Sequence, residues 1–209
     1  MPIEWPDLLV FLSASLMLNL TPGNDMMFVI GQSLRGGTRR GIAASLGIAS
    51  GALVHLALVA MGLAVVLARY PAVFQAIRYA GAAYLVYIAV QTLRSGPAML
   101  KPAPGESSSW AAWRDGAIVN ILNPKIIVFF FAFLPPFVRP EHGHPLLQLL
   151  IFGLLFNIGG TLINFAVAAS AARLAAVFSG NVKIARGFAV LSSALFLVLA
   201  SRMLFDRKT

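Results

Sequence analysis

Six long apolar runs constrain this chain more than any other feature of its sequence. A helix that crosses a bilayer needs about 20 mostly apolar residues, and each run is long enough. Apolar residues make up 59% of the chain and charged residues 11%, a composition typical of membrane proteins. The sequence therefore predicts an all-α polytopic membrane protein with a single domain, residues 1–209. The six predicted transmembrane helices are Leu8–Ile30, Gly41–Ala68, Pro71–Leu93, Gly116–Val138, Leu146–Ala172 and Ile184–Phe205.

The start of the chain is not predicted to be a cleaved signal peptide. It carries Glu4 and Asp7 and no basic residue, whereas a signal peptide needs a basic start. The absence of cysteine excludes disulfides, thiolate metal sites and dithiol redox chemistry. Two histidines and a glutamate in the connector at 139–145 lack a fourth ligand, so we interpret this connector as a solvated loop. We predict no metal and no cofactor.

The basic residues are concentrated in alternate connectors, which predicts the orientation in the membrane. The net charge of +9 is compatible with nucleic-acid binding, but its distribution follows the apolar runs instead. Nine of the sixteen basic residues lie in the odd-numbered connectors, and connectors rich in Lys and Arg stay in the cytoplasm. We therefore predict cytoplasmic odd-numbered connectors, with both termini outside. The nine residues are Arg35, Arg39, Arg40, Arg94, Lys101, Arg114, Arg173, Lys183 and Arg186.

Two of the predicted helices, the first and the fourth, contain a proline near their middle. In "NLTPGND", residues 19–25, Pro22 removes a backbone donor and clashes with the preceding turn. A Thr-Pro pair is also typical of an N-cap followed by the first helical position. In "NILNPK", residues 120–125, Asn123 and Pro124 form an equivalent pair. We predict that each helix is two half-helices, with Thr21 and Asn123 as the N-caps of the second halves.

Both breaks lie at the same predicted depth, which favours a transporter. Pro22 and Pro124 lie roughly 14–15 Å from the predicted cytoplasmic edge, about half of a hydrocarbon core roughly 30 Å thick. Each break is in the first helix of a three-helix half, residues 1–93 and 116–209, and residues 94–115 are predicted to form a flexible linker. Broken helices that meet near the midplane are typical of transporters with inverted repeats, so we predict a 3+3 inverted repeat.

A charged residue follows each break, Asp25 after the first and Lys125 after the second. A charge at the bilayer centre costs at least about 2.5–3.5 kcal/mol, so these two should pair, line water, or both. Half-helix N-termini suit a carboxylate, whereas freed carbonyls and Asp25 suit an ammonium. Such a site suits a free amino acid, and a static bridge between two kinks is the alternative. The predicted substrate-binding and coupling residues are Asn19, Thr21, Pro22, Gly23, Asn24, Asp25, Asn123, Pro124 and Lys125.

Other polar residues within the predicted helices are candidates for lining a pathway. Asn157, Thr161 and Asn164 share one face of the fifth helix, where they either line the pathway or bond to a neighbouring helix. His55 lies near the middle of the second helix and is a candidate proton relay. Tyr84 lies on the third helix. For His55 and Tyr84, packing or a bond to a neighbouring helix is the preferred interpretation.

Several segments resemble the LysE/RhtB family of amino-acid exporters. "TPGND" is similar to the PGPD signature in that family's first helix, and "NPKIIVFFFAFLPPFV" is similar to its fourth-helix segment, which opens with NPK. "GIASGALVH" and "GAAYLVYIAVQTLR" fit its second and third helices. The resemblance covers nearly the whole chain, and the two motifs at this spacing are fairly specific. Asn24 departs from the signature, because it occupies the place of the second proline.

This resemblance implies export of amino acids or related small metabolites from the bacterial cytoplasm across the inner membrane, driven by the proton gradient. It also implies a possible homodimer. The departure at Asn24 puts the substrate preference in doubt more than the fold. The motif positions carried over are Pro22, Gly23 and Asp25 for the first motif, and Asn123, Pro124 and Lys125 for the second.

Three other functional classes are weighed against an exporter. An enzyme is disfavoured, because the carboxylates within predicted helices reduce to Asp25 and there is no HExxH motif. A structural or regulatory membrane subunit would not need two charged breaks at the midplane. A cation transporter of related architecture would have a poor ligand set in one Asp and no Cys. The last two stay as alternatives, and the sequence does not specify which amino acid is the substrate.

Overall fold

The computed structural model describes residues 3–69, 71–94, 108–180 and 182–205. All regular secondary structure in these ranges is helical, which confirms the all-α prediction for this part of the chain. Between α5 and α6 the chain forms a π-helical turn, Phe129–Phe133, and two 3-10 turns, Pro135–Phe137 and Pro140–His142. The α-helices are α1 (Trp5–Leu20), α2 (Asn24–Arg69), α3 (Pro71–Arg94), α4 (Ser109–Ile121), α5 (Pro124–Val128), α6 (Pro145–Ala169), α7 (Ala171–Gly180) and α8 (Val182–Phe205).

Length and apolar composition identify membrane-crossing helices within the described chain. Two helices qualify, Asn24–Gly62 and Pro145–Ala169. Ser109–Ile121 and Pro124–Phe137, which are bent by 53° relative to each other, make a third if they form one span. These helices support a membrane protein, whereas the six spans and the inverted repeat stay predictions. The predicted linker at 94–115 lies mostly outside the described residues.

The predicted connector between the first two helices is itself mostly helical. Two helical stretches of α2 meet there at a kink, where Gly36 and Gly37 have non-helical backbone angles. The Arg40 side chain reaches back to donate to the Gln32 side-chain oxygen at 2.7 Å. Gly37 has a φ of 73°, a conformation that favours glycine. The chain is therefore interrupted inside the predicted connector, and helical structure extends past the predicted bounds at residues 30 and 41 up to this kink. Arg35 and Arg39 lie exposed on either side of the kink.

α2 and α4 pack so closely that the contact requires glycine on both sides. A Cβ added at Gly47 would lie 1.9 Å from the Trp113 carbonyl oxygen, and one added at Gly116 would lie 2.4 Å from the Ala44 carbonyl oxygen. Small residues at a spacing of four allow such an approach of two helix backbones. The contact holds the last turn of α4 against α2, and the second helix break follows that turn.

An aromatic cluster and an ion pair close the end of the molecule that carries the start of α1. The Phe11 ring lies 4.6 Å from the Phe152 ring, centroid to centroid, in the largest apolar core. The Arg139 guanidinium donates to both carboxylate oxygens of Asp7, at 2.5 and 3.0 Å. This hydrogen bonding raises the pKa of Arg139 above its ordinary value. The connector at 139–145, predicted to be a solvated loop, is therefore tied to α1 at its first residue.

Candidate functional site

The first break separates α1 from α2 at residues 21–23. Thr21 has extended backbone (φ −67°, ψ 118°), and α2 begins at Asn24. The prediction that Thr21 is the N-cap of the second half-helix is wrong. Its N–H and its hydroxyl both donate to the Met17 carbonyl, at 3.0 and 2.8 Å, so Thr21 closes the end of α1 instead. A Thr hydroxyl bonds backward along a helix as readily as it caps a helix start.

This break leaves two backbone carbonyls without helical donors. In an unbroken helix the Leu18 carbonyl would accept from residue 22, but Pro22 has no N–H. The Thr21 carbonyl is turned away by its extended backbone. The Lys125 ammonium from α5 donates to both carbonyls, at 3.3 Å each. A cation at the C-terminal end of a helix is also stabilised by the helix dipole.

The second break separates α4 from α5 and supplies its own cap. The Asn123 side-chain oxygen accepts from the Lys125 backbone N–H at 3.0 Å, and Pro124 is the first residue of α5. The predicted N-cap at Asn123 and the predicted half-helix start at Pro124 are confirmed. The 53° bend between the two helical pieces follows from this break. Both predicted interruptions are therefore present, and they lie in contact with each other through Lys125.

The Asp25 carboxylate lies in the first turn of α2, where the helix dipole favours a negative charge. It is 8% exposed. Its Oδ2 accepts from the Asn120 side-chain amide at 2.9 Å. Its Oδ1 has no hydrogen-bond donor among the described residues. One oxygen of a buried carboxylate is thus left free to accept a further donor.

Asp25 and Lys125 line one cavity at the junction of the two breaks. It is a small, partly open cavity, in which the volume open to the centre of a water molecule is about 30 Å³. No ion pair joins the two side chains in the described part of the chain, so the alternative of a static bridge between the kinks is not observed there. They are the two charged members of the described lining. The lining also includes Asn19, Thr21, Asn120, Asn157, Gly160, Thr161 and Asn164.

The wall opposite the charges is neutral and polar. Asn157 donates to the Ala49 carbonyl at 3.3 Å, and Thr161 donates to the Asn157 carbonyl at 2.7 Å. Asn19 donates to the Phe156 carbonyl at 3.3 Å. These bonds engage the donors and leave side-chain oxygens for other partners. The fifth predicted helix corresponds to α6. Its three predicted polar residues all line the cavity, and two of them also bond to backbone carbonyls.

Two predicted pathway residues do not line this cavity. His55 is 4% exposed and lies behind it, with its Nε2 3.4 Å from the Asn120 carbonyl oxygen and its ring stacked on Phe130. Tyr84 is half-buried on α3, with its ring 5.6 Å from the Tyr87 ring. The packing interpretation fits Tyr84, whereas His55 keeps an indirect connection to Asp25 through Asn120.

Other residues of the two motifs shape the breaks and do not line the cavity. Pro22, Gly23, Asn24, Asn123 and Pro124 fall in this group. A Cβ at Gly23 would lie 3.2 Å from the Lys125 ammonium, so this glycine leaves room for it. Asn24 is exposed.

Sequence reasoning missed Asn120, which is 1% exposed and binds Asp25 directly. A signal was present, because "NILNPK" places a second asparagine three residues before Asn123 on a strongly apolar helix. A buried amide within a membrane helix needs a partner, which marks such a residue as a candidate. No group of three or more His, Asp or Glu that could hold a metal ion occurs among the described residues.

Comparisons with known proteins identify the family of this chain. A family profile described as LysE type translocator matches residues 16–207. The chain belongs to the LysE type translocator family. This membership confirms the family that the two motifs resemble. Members of the family are transporters rather than enzymes.

Individual relatives cover most of the chain. An uncharacterised membrane protein of Vibrio cholerae is 32% identical over 168 residues, 79% of this chain and 81% of the relative. The homoserine/homoserine lactone efflux protein of Salmonella typhimurium is 31% identical over 181 residues, 86% of each chain. An uncharacterised membrane protein of Pseudomonas aeruginosa is 31% identical over 184 residues, 85% of each chain. No solved structure matches the chain significantly.

Proposed function

We propose that this translocator exports amino acids or closely related small metabolites from the bacterial cytoplasm across the inner membrane, driven by the proton gradient. The observation that carries the proposal is the cavity at the two breaks. It is lined by both Asp25, one oxygen of which has no hydrogen-bond partner among the described residues, and Lys125. A solute with an ammonium and a carboxylate complements both groups.

The binding mode follows from the charges that face the cavity. The substrate ammonium donates to the Asp25 carboxylate, one oxygen of which has no donor in the described chain. The substrate carboxylate faces Lys125, whose ammonium uses two donors on the Leu18 and Thr21 carbonyls and keeps a third. Amides and hydroxyls of α6 and α1 surround the rest of the solute. Anchoring both ends fixes the orientation of the solute in the cavity.

The named relative supports an ammonium anchor in particular. The Salmonella typhimurium protein is named for efflux of homoserine and homoserine lactone. Homoserine carries an ammonium and a carboxylate, whereas its lactone keeps the amino group and has no free carboxylate. A site for both solutes therefore needs an acceptor for the ammonium, the role that we assign to Asp25.

Transport follows if Asp25 binds either the substrate ammonium or a proton. A proton from outside displaces the substrate from Asp25, with His55 as a relay, and one half of the molecule rocks against the other to alternate access. In this proposal the odd-numbered connectors lie in the cytoplasm and both termini lie outside, and export runs from the cytoplasmic side to the outer side. A homodimer is part of the proposal by family resemblance and takes no part in this step.

The test is the variant Asp25→Asn with labelled homoserine as the probe. We expect its counterflow in proteoliposomes and its proton-driven transport to fall to the level of vesicles without protein, because a neutral amide loses the ionic anchor and takes up no proton. Asp115→Asn is the matched control, since Asp115 is exposed and pairs with Arg114 outside the cavity. Full transport by a folded Asp25→Asn protein would refute the coupling role. Absence of wild-type transport for every amino acid tested would refute the substrate class.

A further inference from the structure

Asn120 connects the carboxylate of the first break to the helix that leads into the second. It lies in the last turn of α4 and is 1% exposed. Its amide donates to Asp25 Oδ2 at 2.9 Å, and its backbone carbonyl lies 3.4 Å from His55 Nε2. The hydrogen bond from its side chain to Asp25 therefore joins the two broken helices directly.

The Asp25–Asn120 pair contains two buried oxygens with no donor. Asp25 Oδ1 and Asn120 Oδ1 are both buried without a hydrogen-bond partner in the described chain. A buried acceptor without a donor is costly, and each such atom in a native protein needs an explanation. Each of these two oxygens therefore lacks a hydrogen-bond donor. A proton on Asp25 Oδ2, with the Asn120 amide turned over, gives the Asn120 oxygen a donor, and Asp25 Oδ1 stays available to a further donor.

We propose that Asn120 is the positioning residue for proton coupling, because its amide bonds Asp25 in both protonation states. This inference rests on the proposed function. When Asp25 is ionised, the amide N–H donates to the carboxylate, as observed. When Asp25 takes up a proton, the amide turns over and its oxygen accepts the carboxyl O–H at the same place. The step adds one proton to Asp25 and needs no other reactant.

The surroundings of Asn120 leave space for its amide and isolate the pair. A Cβ at Gly51 would lie 2.9 Å from Asn120 Cβ and 3.0 Å from its Oδ1, so glycine is needed beside it. Among the described residues, the titratable groups that interact with Asp25 are Lys125 from α5 and His55 from α2. α6 faces the cavity with amides and a hydroxyl and with no charge among its described lining residues. The proton state of Asp25 is thus transmitted to α4 through one amide.

The experiment compares Asn120→Thr with Asn120→Val, two side chains of nearly the same shape. The Thr hydroxyl can donate to a carboxylate or accept from a carboxyl group, whereas Val does neither. Labelled homoserine is measured in two assays in proteoliposomes. Counterflow exchanges substrate for substrate and needs no net proton movement, whereas uphill transport needs the proton gradient.

We expect Asn120→Val to lose proton-driven transport by about tenfold or more while it retains counterflow, because it removes a hydrogen bond to a charged group. Asn120→Thr should resemble the wild type in both assays. Gln91→Glu, an exposed amide-to-acid change away from the cavity, serves as a control for the preparation.

Two outcomes would overturn the inference. Wild-type behaviour of both variants would show that Asp25 does not need this partner. Equal loss of counterflow and proton-driven transport in both would make Asn120 a packing residue only. The proposed function is judged separately, because it fails if Asp25→Asn transports normally. If Asp25→Asn is inactive and Asn120→Val keeps its coupling, only the role of Asn120 is refuted.

Discussion

The two helix breaks use the same Xaa-Pro pair, but they are closed in opposite ways. At the second break, Asn123 caps the new helix from within its own segment. At the first break, the Thr21 hydroxyl bonds backward to Met17, and the freed carbonyls accept from Lys125, more than a hundred residues away in the sequence. The second break therefore closes locally, whereas the first depends on a residue supplied by the second.

This difference explains how a polar site persists in an apolar molecule. The Lys125 ammonium is held by the carbonyl end of α1, and the Asp25 carboxylate is held by Asn120 of α4. Each charge is thus bound by the helix that the other break interrupts. Holding the charges separately keeps them from neutralising each other and leaves both in the cavity.

Removing the ammonium at the first break should have the largest effect. We expect Lys125→Met to lower the free energy of unfolding by about 1.5–3 kcal/mol, because the Leu18 and Thr21 carbonyls lose a charged donor. Transport should be lost as well, since the substrate carboxylate loses its partner. The thermal unfolding midpoint in detergent and homoserine counterflow measure the two effects.

Arg114→Met is the matched control for the loss of a cation from the same bent helix pair. Arg114 is exposed and pairs with Asp115, and an exposed pair of this kind contributes about 0–1 kcal/mol. If Lys125→Met is as stable as this control, the first break does not depend on the ammonium, and the comparison between the two breaks fails.

The local features of the two breaks were predictable from the sequence. Pro22 and Pro124 interrupt helices for covalent reasons that hold in any surroundings. Asn123 is confirmed as a cap because its partner lies two residues away. Thr21 was assigned wrongly because its hydroxyl has two local alternatives, forward capping and backward bonding, and the choice depends on where α1 ends.

The partners across the molecule were not predictable in the same way. Asn120 and Asp25 are separated by 95 residues, and periodicity does not specify which helix faces which. The prediction that both charges lie at one depth indicated that Asp25 and Lys125 share a cavity. The sequence did not indicate that backbone carbonyls bind the ammonium. Every residue has a backbone carbonyl, and only the proline shows that one of them lacks its helical donor.

Removing the local cap should have a smaller and more confined effect. Asn123→Ala should lower the free energy of unfolding by about 1 kcal/mol, the usual cost of losing an N-cap side chain. The Asn123 side-chain nitrogen has no partner in the described chain, so no second bond is lost with it. Asn123→Asp keeps a capping oxygen and should restore most of the midpoint. A cost as large as that of Lys125→Met would show that the second break also depends on distant contacts.

The smallest effect on stability is expected at Gly23, which lies in the first break beside the Lys125 ammonium of the second. Gly23 is not among the described glycines with positive φ, so alanine fits its backbone and restricts the unfolded chain, a gain of about 0.4–1 kcal/mol. The added Cβ would lie 3.2 Å from the Lys125 ammonium and push this flexible group aside, which offsets the gain. We expect Gly23→Ala to keep its unfolding midpoint nearly unchanged and to lose homoserine affinity. Gly31→Ala, whose Cβ would meet nothing within 4 Å, should transport as the wild type does. If Gly23→Ala also binds and transports normally, the ammonium does not need its place against the first break, and the two breaks are independent kinks.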